Sequence, residues 1–130
     1  MEPREDRGDE EKRIGGFLKD SRTKRVGFGD ESIYKAFLEL QSGKFEEKKL
    51  ASFIQNAIDE LKEDPFVGVA IPQKLWPFEY VRRFAITNLR KCNLPRGWRL
   101  VYTIRGNEIE IISVILEWFP HKQYERRFKY

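Results

Sequence analysis

Hydrophobic positions along this chain change period as the chain runs, and the changes divide it into elements. Ile33, Tyr34, Phe37, Leu38 and Leu40 recur at helical spacing after Asp30 and Ser32, either of which suits a helix start. Gly43 ends that run. Leu50, Phe53, Ile54, Ala57, Ile58 and Leu61 then mark one face of a second helix, which Asp64-Pro65 stops because proline disfavours helical geometry in the residue before it. The short break implies an antiparallel helical hairpin near 31–42 and 45–63. Further on, residues 98–105 and 108–117 alternate with period two, and Gly106-Asn107 between them tolerates the positive φ of a tight hairpin turn. Pairing Arg105 with Glu108 puts Arg99, Val101 and Thr103 on one face with Glu110, Ile112 and Val114. The other face, Leu100, Tyr102 and Ile104 against Ile109, Ile111 and Ile115, is greasier and is the expected core side.

The rest of the chain is read around these elements. Arg25-Val26-Gly27-Phe28-Gly29 suits a short edge strand. Residues 66–78, with Pro72 and Pro77 and no clear period, read as a loop ordered by Trp76. Residues 80–94 fit a strand or two better than a helix, with Cys92 and Leu94 inward and Lys91 and Asn93 outward. Residues 125–130 suit a last helical turn or a tail. The order is β-α-α-β-β-β, an α+β fold with an N-terminal helical hairpin on one face of a twisted antiparallel sheet. Residues 1–24 are almost all charge, glycine and small polar side chains, relieved after Met1 chiefly by Ile14, Phe17 and Leu18. Such a segment buries too little to order itself, so 1–24 is expected to be a flexible charged tail and 25–130 a single domain.

Composition narrows the class. A chain of 130 residues with 40% hydrophobic positions is long enough for one modest core. The one cysteine, Cys92, excludes an internal disulfide framework and fits a reducing compartment. No apolar run approaches the ~18 residues of a membrane span, and the charged start lacks the core of a secretion signal, so the cytoplasm is the expected location. The 35% of charged residues are mixed in sign, a composition seen in thermophile proteins. They are also unevenly spread. Residues 74–130 hold 12 Lys/Arg against 5 Asp/Glu, a net +7, whereas residues 1–73 hold 13 against 16, a net −3. A basic half suits a polyanion partner.

Several chemistries fall away. One Cys and one His provide no zinc cluster, and neither a phosphate loop nor a GxSxG elbow is present. What remains is Lys91, Arg99, His121 and Tyr124, with Arg90, Asn93, Arg96 and Lys122 nearby as further RNA-binding candidates. An arginine on an open sheet face holds a phosphate and stabilises charge that grows on it. A lysine or histidine moves a proton, and a tyrosine ring offers a base a stacking surface. Each residue also has an ordinary structural role to weigh against these: Arg99 pairing with Glu108 or Glu110, His121 as a surface residue after Pro120, Tyr124 packing on Phe128.

Taken together, these elements resemble the RelE/ParE-type toxins of prokaryotic toxin–antitoxin modules, over about residues 25–124. Gly97-Trp98-Arg99-Leu100-Val101-Tyr102 resembles the glycine-aromatic-Arg-Leu-Val-Tyr strand of the RelE branch. His121-Lys122-Gln123-Tyr124 is similar to the His-Lys-x-Tyr ending of the HigB branch. The resemblance implies a metal-independent endoribonuclease, without cofactor, that cuts ribosome-bound mRNA by attack of the ribose 2′-OH on the adjacent phosphate. It places Arg99 at the phosphate, Lys91 as base or electrostatic partner, Tyr124 as the stacking ring and His121 as general acid. The implied partners are the ribosome, mRNA and a cognate antitoxin, with no membrane. The RelE acid arginine has no counterpart here, since Glu117-Trp118-Phe119-Pro120 occupies its region, and one of the family's two lysines is Asn93. Two alternatives share the fold. One is a ParE-like toxin that poisons DNA gyrase, although such members generally lack the basic and aromatic set. The other is a non-catalytic RNA- or ribosome-binding module.

Overall fold

A computed structural model describes residues 20–128. Most of the expected tail, residues 1–19, lies outside the described residues, and the first strand, β1 (Thr23–Phe28), takes up the last two residues assigned to it. The Asp30 side chain then accepts from the Ile33 N–H at 3.0 Å and starts α1 (Glu31–Gln41). A second helix, α2 (Phe45–Glu63), begins where the Glu47 carboxylate accepts from the Lys44 N–H at 2.8 Å, and ends at Asp64 before the proline. Its buried face is Leu50, Ala51, Ile54, Ala57, Ile58 and Leu61, the stripe set by the 3.6-residue period.

Among the described residues one sheet has the order β1-β5-β4-β3-β2, with β2 (Val69–Ala70), β3 (Arg90–Asn93), β4 (Trp98–Gly106) and β5 (Glu110–Pro120). β1 runs parallel to β5 and the other neighbours are antiparallel. The hairpin differs from the sequence expectation by four residues of register: Arg105 stands opposite Ile112, not Glu108. Its turn is built by the Asn107 side chain, which accepts from the N–H groups of Ile109 and Glu110 at 2.8 and 3.0 Å. Positive φ falls on Ala85, Arg96 and Gly97 among the described residues, not on Gly106 or Asn107. An even shift keeps the side chains of β4, and of β5 as far as Ile115, on their expected faces, so Leu100 and Tyr102 still point to the helical hairpin and are fully buried. Ile109, expected in the core, sits in the turn and is exposed.

A bulge between Val101 and Tyr102 has a larger consequence. Tyr102 pairs with Ile115 but Val101 pairs with Glu117, so Leu116 is skipped. Beyond the skipped residue, Glu117 and Phe119 move to the sheet face that carries Val101 and Arg99. That face is covered too. Residues 78–84, read as strand or loop, form a short helix, α3 (Phe78–Phe84), and the expected last turn is a full helix, α4 (His121–Phe128). Tyr80 of α3 packs on Phe84 and Phe128, and Phe119, Tyr124 and Phe128 pack on one another; the Tyr124 and Phe128 ring centroids are 4.6 Å apart. Both helices are too short for hydrophobic period to distinguish them from strands. The loop of 66–78 is ordered as expected by Trp76, whose Nε1 donates to the Ile71 carbonyl at 2.8 Å. At its start the buried Tyr102 hydroxyl donates to the Pro65 carbonyl at 2.7 Å and accepts from the Gly68 N–H at 3.1 Å. Gly68 is required there: a Cβ would stand 2.6 Å from the Lys91 carbonyl and 2.7 Å from that hydroxyl.

Candidate functional site

Arg99 pairs with Phe119 on β5 and with Asn93 on β3, and Lys91 pairs with Val101, so Lys91, Asn93 and Arg99 share the sheet face opposite α1 and α2. His121 opens α4 directly after β5. One Arg99 Nη2 lies 3.2 Å from His121 Nδ1, and His121 Nε2 lies 3.2 Å from a Glu125 carboxylate oxygen one helical turn on. Arginine has no acceptor, so a hydrogen bond across this contact runs from the guanidinium to an unprotonated Nδ1 and leaves a ring proton on Nε2, facing Glu125. The chain Arg99–His121–Glu125 sets the imidazole between a guanidinium at Nδ1 and a carboxylate at Nε2. Both His121 and Glu125 are half exposed. Glu125 was not singled out from sequence, although its position four residues after a histidine on a helix is the spacing at which two side chains meet.

Tyr124 joins the group in a different way from the one expected. The Lys91 ammonium lies 4.8 Å from its ring centroid and the Arg99 guanidinium 6.0 Å. The ring is 2% exposed and has Phe119 and Phe128 against it. It is a floor for two cations. In this conformation it offers no open face to a base.

The other candidates separate. Asn93 is exposed beside Arg99, and Lys122 is exposed on the first turn of α4. Arg90 pairs with Tyr102 on the opposite face, where it donates to the carbonyls of Gly68 and Phe66 at 2.6 and 3.1 Å, so it holds the 66–68 loop. Arg96 is drawn to the start of α2 by an ion pair with Glu46 at 3.0 Å. Cys92 faces α2, and burial pushes its thiol up to about 11, which leaves it protonated and unreactive near neutral pH. Among the described residues no three His, Cys, Asp or Glu side chains are grouped to hold a metal ion.

A latch fixes α4 over the sheet. Arg127 reaches Glu117 at 2.9 Å and Glu79 at 2.8 Å, tying α4 to β5 and α3. Tyr80, buried, donates its hydroxyl to Glu117; desolvation and that acceptor raise its pKa far above the ordinary phenol. The bulge in β5 is what brings Glu117 to this side.

Residues 31–116, α1 through most of β5, match the family of the ParE toxin of type II toxin-antitoxin system, parDE. The chain belongs to this family. It is the toxin of a toxin–antitoxin module, and a cognate antitoxin is its partner. No curated protein and no solved structure matches it. The family match covers Lys91, Asn93 and Arg99 but stops at position 116, so the toxin's His121, Tyr124 and Glu125 lie beyond it. Among the described residues no helix is long and apolar enough to cross a membrane.

Proposed function

We propose that this toxin is a metal-independent endoribonuclease that cuts ribosome-bound mRNA through attack of a ribose 2′-OH. The observation that carries the reading is the chain Arg99–His121–Glu125, with Lys91 beside it on the same sheet face. The phosphate that is to be cut binds the guanidinium, taking the hydrogen bond that Arg99 gives to His121. That frees the Nδ1 lone pair next to the phosphate, where it takes the proton of the 2′-OH as the 2′-oxygen bonds to phosphorus. Glu125 holds the ring in the right tautomer and stabilises the imidazolium that forms, as a carboxylate behind a catalytic histidine does. The role is that of a base, in place of the acid implied by the resemblance. Arg99 neutralises charge on the pentacoordinate phosphate, and the Lys91 ammonium supplies the charge or proton for the departing 5′-oxygen. The products are a 2′,3′-cyclic phosphate and a 5′-hydroxyl. A polyanion partner also accords with the basic half of the chain.

A second reading, gyrase poisoning without cleavage, is favoured by the ParE description of the matched family and by the covered ring of Tyr124. Induction of the intact toxin without antitoxin separates the two. The nuclease reading expects growth arrest with mRNA cut at ribosome-occupied codons and cyclic phosphate on the upstream fragment. Intact mRNA with gyrase-dependent DNA breaks decides for gyrase. Ribosome binding with neither kind of break decides for a non-catalytic module.

A further inference from the structure

With the Tyr124 ring covered, a base held near Arg99 needs another surface to stack on. An open one lies at the far end of α4. The chain turns through Gln73–Leu75 and enters α3 at Phe78, and with the last turn of α4 this stretch encloses a groove of about 440 Å³ lined by Lys74, Trp76, Phe78, Arg127 and Phe128. Phe78 is 75% exposed, an aromatic ring that the protein's own packing does not use. Trp76 is held in place by its hydrogen bond to Ile71. The one acid in the lining, Glu79, is engaged by Arg127. A second hollow of about 380 Å³, lined by Phe119, Gln123, Arg126 and Arg127, shares Arg127 with the first. Six residues of helix separate His121 from Arg127, a rise of about 9 Å at 1.5 Å per residue with the two side chains about 120° apart around the axis, a separation that a few nucleotides of one strand cover.

We propose that this groove is a second nucleobase subsite, in which a base a few nucleotides from the cut phosphate stacks on Phe78 and Trp76 while the intervening backbone meets Arg126 and Lys74. The proposal rests on the RNA-cleaving reading of the Arg99 site. The lining favours single-stranded RNA over a protein helix: it pairs aromatic faces with cations, the combination that tracks an unpaired strand, and lacks a row of aliphatic sockets at helical spacing.

The test measures binding of fluorescein-labelled 2′-O-methyl oligouridylates, which cannot be cut, to the full-length toxin and to Phe78→Ala. Phe78 is exposed, so the variant should melt with the wild type. Loss of one stacking ring should weaken long oligomers about tenfold and leave the shortest, confined to the Arg99 site, unchanged. A Phe78→Trp variant should restore the affinity. Equal binding of long oligomers by wild type and Phe78→Ala overturns the subsite and leaves the nuclease reading standing. Failure of the wild type to bind free RNA of any length overturns the subsite, and the nuclease reading is then decided by the induction experiment on ribosome-bound mRNA. Weaker antitoxin binding by Phe78→Ala, with RNA binding unchanged, assigns the groove to a protein instead.

Discussion

Replacing Arg99 by alanine should separate chemistry from folding. The guanidinium makes two hydrogen bonds of 3.2 Å, to the Trp98 carbonyl and to His121, and one cation–π contact at 6.0 Å, all at a partly exposed position. Partly solvated hydrogen bonds contribute about 0.5–1 kcal/mol each and an exposed cation–π contact about 0.5 kcal/mol, so the stability loss should not exceed about 2 kcal/mol. On a domain of this size that is a fall in Tm of less than about 10 °C. On the proposed mechanism the rate should suffer far more, because the same group would face the phosphate as its charge grows. Losing one preorganised donor costs about 10²–10³ in rate. Single-turnover cleavage on ribosomes programmed with a defined mRNA, followed by primer extension, gives the rate, and thermal unfolding of the same preparation gives the stability. Arg99→Lys keeps the charge but loses the planar fork, and should fall between. If Arg99→Ala is folded and cuts as fast as wild type, the arginine has no role in the reaction and the proposed phosphate site is wrong.

Three further outcomes follow from the fold. Tyr102→Phe leaves the Pro65 carbonyl and the Gly68 N–H buried without their partner, at about 1–2 kcal/mol each, so urea unfolding should show a loss of about 2–4 kcal/mol with the 65–70 segment exchanging its amide hydrogens faster; an unchanged midpoint would contradict the pairing. Ser113 is fully buried, and its hydroxyl has no hydrogen-bond partner among the described residues, so Ser113→Ala should raise stability, by up to about 1 kcal/mol; clear destabilisation in the same assay would mean that the hydroxyl is satisfied. Asp30 is held at about 2 by hydrogen bonds from the Ser32 hydroxyl and the Ile33 N–H, with Arg83 adding to them. A depressed folded pKa gives stability that is present above the ordinary carboxylate value and lost as pH falls through about 2, so the stability difference between wild type and Asp30→Asn should be constant near neutrality and shrink between about pH 4 and 2. A difference that stays constant across that window would rule out the charged cap as its source.

What the sequence revealed of the fold depended on how each feature is encoded. The helical hairpin was legible because its stripes are long, and the two faces of β4 were legible because alternation has period two. Register was not, since it depends on which atoms build the turn: Gly106-Asn107 looks like a two-residue turn by backbone preference, but the Asn107 side chain bonds two N–H groups and sets a longer one. α3 was read as strand and α4 as no more than a last turn because each shows just one apolar i, i+4 pair, Tyr80 with Phe84 and Tyr124 with Phe128. Among the site candidates, Lys91, Asn93, Arg99 and His121 are brought together by the strand pairing and the start of α4. Arg90 and Arg96 are not. Adjacent strand residues alternate faces, so proximity of Arg90 to Lys91 in the chain argues against a shared site. Glu125 and Glu117 needed the short helix and the bulge to be seen first.

The bulge and α4 together explain how a site can be assembled at the limit of a family's scaffold. Lys91, Asn93 and Arg99 come from strands inside the matched span, whereas His121, Tyr124 and Glu125 come from a helix outside it. Joining the halves requires a helix that cannot drift, and an eight-residue helix has little stability of its own. Its hold comes from two buried aromatic rings and from Arg127, whose two carboxylate partners stand on α3 and β5. Glu117 reaches that ion pair only because the skipped residue in β5 turns it away from α1. The skip therefore acts at a distance: it fixes the latch, the latch fixes α4, and α4 fixes the imidazole against Arg99. Deleting Leu116 would let Glu117 follow Ile115 directly and still pair with Val101, so the latch and the histidine should stay aligned; a one-residue slip that paired Leu116 with Val101 would instead return Glu117 to the other face, and the toxin would keep its basic patch and lose the aligned histidine.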